Sequence, residues 1–137
     1  MLSEDRREWA ALCAALDAHP DGPLHDPESP AWTARDVYAH LARWIAHSTA
    51  DLESVLAGGG LAVIEGSGDD EINARWQAED SGLTLAAARE RARRAFDRRA
   101  AAIESVPAER WTDALLAIAH ADDAQHYRAH HSYIRVE

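Results

Sequence analysis

The chain has 137 residues and a single cysteine, Cys13, which excludes an internal disulfide and any cysteine-rich zinc cluster. Metal chemistry here rests on histidine and carboxylate. No uninterrupted apolar run approaches the ~20 residues that span a bilayer. The opening Met1-Leu2-Ser3-Glu4-Asp5 is acidic where a secretory leader would place a basic segment before an apolar one. These absences lead us to expect a cytoplasmic protein that does not enter a membrane. Basic residues are also few: 14 against 24 acidic ones give a net charge of -10, which repels nucleic acid on average. The arginines that do cluster, Arg89, Arg91, Arg93, Arg94, Arg98 and Arg99, are interleaved with Glu90 and Asp97 and read as a solvated helix face.

Hydrophobic residues make up 47% of the chain, enough for one packed core, so residues 1–137 are expected to form a single domain. Trp9, Leu12, Cys13 and Leu16 recur at helical spacing and predict a helix over about residues 3–18, with Glu4 and Asp5 in its first turn. Cys13 lies on that apolar stripe and reads as a buried, inert thiol. Pro20, Gly22, Pro23, Pro27 and Pro30 predict a loop crossing the end of a helical bundle. Thr33 and Asp36 form a capping-box pattern ahead of Val37, Leu41, Trp44, Ile45, Leu52 and Leu56, a second helix halted by Gly58-Gly59-Gly60.

An apolar tether, Leu61-Ala62-Val63-Ile64, then leads to a short helix starting at Asp69-Asp70-Glu71. Thr84 caps a third main helix that runs to about Ser105, and a last helix follows Trp111-Thr112-Asp113 and carries Leu115, Ala119, Asp123, His126, His130, Tyr133 and Ile134 on one face. The predicted fold is all-α: an up-down four-helix bundle with one additional short helix between the second and third main helices.

His126 and His130 lie four apart, one helical turn above each other, which is a chelating spacing that needs a third ligand. His40 sits at the inward edge of the second helix and is a candidate partner. His47, seven residues further on and nearly on the same side, competes with it; the two are about 10 Å apart along the axis, too far to share a metal, so only one of them can belong to a site. Asp122 and Asp123 precede His126 by four and three residues, placing either behind a ligand imidazole. The same spacing is also met in ordinary surface histidines. The five tryptophans read as core or inter-helix wedges, with Trp44 and Trp76 also candidates, beside Tyr133, for the wall of a pocket.

The segment Pro30-Ala31-Trp32-Thr33-Ala34-Arg35-Asp36-Val37-Tyr38-Ala39-His40-Leu41 resembles the signature of the DinB-like superfamily, which includes YfiT-like metal-dependent hydrolases. The closing Ala124-Gln125-His126-Tyr127-Arg128, with Ile134-Arg135, Asn73 and Leu83-Thr84-Leu85, is similar to the ClbS/DfsB branch. The resemblance implies a bundle, often dimeric, with a divalent metal on His40, His126 and His130. Zinc or nickel is expected there, and iron or copper also suits three imidazoles. It further implies thiol-dependent transfer with a low-molecular-weight thiol, or hydrolysis of a small electrophilic substrate in detoxification or resistance. The ClbS-like pattern often lacks the second histidine of the last helix. This chain has His130, which favours the metal-binding version, and a separate thiol-recognition domain is not expected. Two alternatives stand beside this reading: hydrolysis without metal, and a non-catalytic dimeric binding module.

Overall fold

The computed structural model describes residues 1–66 and 68–134 and is all-helical among them. The helices are α1 (Leu2–Ala18), α2 (Ala34–Leu56), α3 (Asp69–Glu79), α4 (Leu85–Glu104), α5 (Asp113–His120) and α6 (Ala124–His131), with a short 3-10 turn at Ala108–Arg110. Arg135, part of the closing pattern, lies outside the described residues, as does Ser67.

The helix starts follow their side chains. Asp36 Oδ2 accepts from the Thr33 backbone N–H at 2.9 Å, closing the first turn of α2. Thr84 Oγ1 accepts from Ala87 N at 3.1 Å at the start of α4. α2 is the central element: it packs against α3, α4 and α5, most extensively against α4, where Ala88 and Ala92 are fully buried and let the two backbones approach. α1 packs against α6. Between them Trp9 stacks on Phe96 with centroids 4.9 Å apart and meets Tyr127 edge-on at 5.1 Å. A second apolar cluster, Leu52, Ile103, Leu115 and Ala119, lies towards the other end of α2.

Two sequence expectations are corrected. The last helix is not continuous: residues 121–123 interrupt it, and Asp123 adopts an extended backbone from which its carboxylate accepts the Gln125 N–H at 3.0 Å. A short acidic side chain offers the backbone this local bond in place of the helical one, which is why Asp favours caps over helix interiors. Arg99 is not on the solvated face of α4. It is 2% exposed and donates through Nη1 to Asp5 Oδ2 at 2.8 Å, and through Nη2 to the Ala119 carbonyl. Arg91, Arg93, Arg94 and Arg98 are exposed and Arg89 is half-buried; Arg93 and Arg94 bond Glu90, and Arg93 reaches Asp97.

Candidate metal centre

α2 and α6 bring His40, His126 and His130 together, with one possible ligand atom from each within 4.8 Å of the others. The ring centroids are 5.0 Å apart for His40 and His130, 5.7 Å for His40 and His126, and 4.8 Å for the pair on α6. His126 Nε2 and His130 Nε2 face each other at 3.0 Å. Two nitrogens each 2.0–2.1 Å from one ion are separated by roughly 3 Å, so this pair needs little adjustment to share a metal. His40 closes the third side.

Each imidazole is oriented by a partner behind it. Asp122 Oδ1 lies 3.0 Å from His126 Nδ1, which places the proton on Nδ1 and leaves the Nε2 lone pair facing the trio. His130 Nδ1 is within hydrogen-bond distance of the Tyr133 hydroxyl, and the Asp26 carboxylate of the proline-rich loop lies near that phenol. Asn73 of α3 lies beside His40, and its Oδ1 accepts from Trp44 Nε1 at 2.6 Å. Each of the three imidazoles therefore has a polar neighbour behind it.

The electrostatics suit a cation. Burial, with His126 nearby, lowers the His40 pKa to about 4; burial, with His40 and His126 nearby, lowers that of His130 to about 2. Both are neutral lone-pair donors at pH 7. Asp122 is pushed up by burial, but the hydrogen bond and charge of His126, the Ser48 hydroxyl and Arg99 outweigh this and hold it below its ordinary value. Burial and the neighbouring Asp26 carboxylate push the Tyr133 phenol up, so it stays protonated and able to donate.

Of the two carboxylates expected behind the imidazoles, only Asp122 faces one. Asp123 caps α6, and its other oxygen lies 2.9 Å from His120 Nδ1. Trp44 and Tyr133 line a wide cleft that opens onto the trio. Trp76 lines a narrower crevice beside His40, packs on Trp44 at 4.9 Å and carries the Arg43 guanidinium over its ring. His47 is drawn off to Asp51, 3.3 Å away. Asp26, Asn73 and Ser48 support the site without a spacing that announces them, since each acts across a loop or between helices. Carboxylates line the cleft at Asp26, Glu28, Asp51, Asp69, Asp70, Asp122 and Asp123, and no arginine does so among the described residues.

Comparison of the chain with protein-family models, with curated proteins and with solved structures gave no match.

Proposed function

We propose that the chain binds one divalent metal through His40, His126 and His130 and uses it to hydrolyse a small electrophilic molecule or to transfer a low-molecular-weight thiol to it. The observation that carries this reading is the convergence of three imidazoles, two kept neutral by burial, at the floor of an open cleft. A metal so held supplies Lewis acidity and activates water or a thiol, with coordination positions left for the substrate. Asp122 and Tyr133 hold the rings of His126 and His130, Asn73 lies beside His40, and Trp44 and Tyr133 provide wall for the substrate. The lack of basic lining favours neutral or cationic substrates over anionic ones. Zinc or nickel is the proposed ion.

The same reading takes the helices as an up-down bundle of the DinB-like kind, with α5 and α6 together as the fourth member and α3 as the additional short helix. A homodimer in the cytoplasm belongs to this proposal, and light scattering at micromolar concentration tests the dimer.

Loading with zinc, dialysis and elemental analysis test the metal. The unaltered chain is expected to retain one equivalent, and His126→Ala none while keeping its helical circular dichroism. Equal metal in both proteins would falsify the reading.

A second reading is favoured by one contact, the 3.0 Å pairing of Asp122 with His126 Nδ1. That pairing also suits a general base, with the carboxylate fixing the imidazole while Nε2 takes a proton from water. Hydrolysis that survives exhaustive chelation would select this metal-free route.

A further inference from the structure

We propose that Asp5 of α1 and Arg99 of α4 are positioning residues for the histidine trio, setting the break between α5 and α6 and thereby the direction in which His126 and His130 face His40. This rests on the reading of the trio as a metal site.

Every helix end leaves unpaired backbone groups behind, carbonyls at the C-terminus and N–H groups at the N-terminus. At the break these two kinds of orphan come close together. Arg99 Nη2 donates to the carbonyl of Ala119, in the last turn of α5, while Arg99 Nη1 donates to Asp5 Oδ2 at 2.8 Å. The other oxygen, Asp5 Oδ1, accepts at 3.0 Å from the N–H of Ala124, the first residue of α6. A single ion pair thus places a cation at the negative end of one helix and an anion at the positive end of the next. Both side chains are 2% exposed, so neither has water as an alternative partner.

His126 follows Ala124 by two residues. Each residue turns a helix by about 100°, so beginning α6 one residue earlier or later would swing the His126–His130 pair away from His40. The other ion pairs between α1 and α6, from Arg128 to Glu4 and Glu8, involve a half-exposed arginine and hold register weakly, and the Trp9–Tyr127 ring contact is apolar and leaves the helix-end groups unpaired. A buried ion pair adds little net stability compared with apolar residues of the same volume, and its best-attested use is to specify register. Here the register specified is that of the ligand-bearing helix.

The metal-free chain tests this by long-range nitrogen–proton NMR of the imidazoles, which reports the tautomer and surroundings of each ring. Asp5→Asn and Arg99→Lys are compared with Leu16→Ala, a core truncation in α1 away from the break. The expected result is that the His126, His130 and His40 signals move in the first two variants while His19 and His25 stay, and that Leu16→Ala leaves the trio as it was. Zinc titration should then show at least tenfold weaker binding in the first two variants only. Trio signals unchanged in a folded Asp5→Asn or Arg99→Lys, or moved as much by Leu16→Ala, overturn the proposal. If Asp5→Asn does not fold, Arg99→Lys decides, since it keeps the charge and loses the fork. If the signals move as expected but the unaltered chain takes up no zinc, the metal reading falls and the positioning role stands.

Discussion

Neutral histidines inside a folded chain make its stability depend on acid. His40 and His130 have pKa values lowered to about 4 and about 2 against 6.5 when free, so below pH 6.5 the unfolded chain takes up two protons that the folded chain refuses. Stability from these two groups is complete above pH 6.5 and is lost as pH falls: both contribute down to about 4, and His130 alone continues below that. Each one costs about 1.4 kcal/mol per pH unit in its window. Urea midpoints of the metal-free chain should therefore drop steeply between pH 7 and pH 5, and His40→Gln should show a shallower drop; parallel curves for the two proteins would contradict the burial argument. At this scale the sequence was informative about which histidines converge and about Asp122 behind His126, and silent about the other supports. His126 and His130 announce themselves by a four-residue spacing. Asp26 and Asn73 reach the trio through a loop and a neighbouring helix, and no periodicity links them to it.

Helix starts were legible because capping is local: Thr33 with Asp36 and Thr84 with Ala87 N do what their spacing suggests. The interruption at residues 121–123 was not, because the apolar stripe of α5 continues in phase into α6 and hides it. Asp122 and Asp123 are adjacent yet serve different elements, one orienting an imidazole and the other starting a helix. Their variants should separate accordingly. Asp122→Asn is expected to weaken zinc binding by about 10–100-fold, as for other partners of metal-ligating histidines. Asp123→Ala is expected to lower stability by about 1 kcal/mol through loss of the cap. Zinc affinity in Asp123→Ala should stay within about threefold of the unaltered chain, since stability and affinity are set here by different side chains. Calorimetric titration together with thermal melting gives both numbers, and equal effects of the two variants on affinity would refute the division of labour.

For the molecule as a whole, apolar periodicity and capping patterns pointed to an all-helical chain, as the described residues are, and no described helix is long and apolar enough to cross a membrane. What composition could not convey is how the charge is distributed. Arginines ride on the outer face of α4 while carboxylates line the cleft above the trio, so the net charge of -10 is felt most where a cation would enter. Focusing of this kind speeds association and is screened within about 10 Å at 0.1 M salt. Stopped-flow uptake of zinc is thus expected to slow about tenfold or more between 10 mM and 0.3 M sodium chloride, and a salt-independent rate would show that the cleft does not steer. Among the described residues, no sequence pattern marked Trp32 as a neighbour of the trio, yet its ring lies edge-on to His40 with centroids 5.2 Å apart. Trp44 donates to Asn73, which lies beside the same histidine. Indoles so near the trio would make a bound ion visible by light: copper or nickel should quench their emission through their open d shells, and zinc, with its shell filled, should leave the intensity nearly unchanged. Trp76, packed on Trp44 and lining the crevice beside His40, belongs to the same group, so replacing Trp32, Trp44 and Trp76 with phenylalanine should abolish most of the response and leave Trp9 and Trp111 to emit.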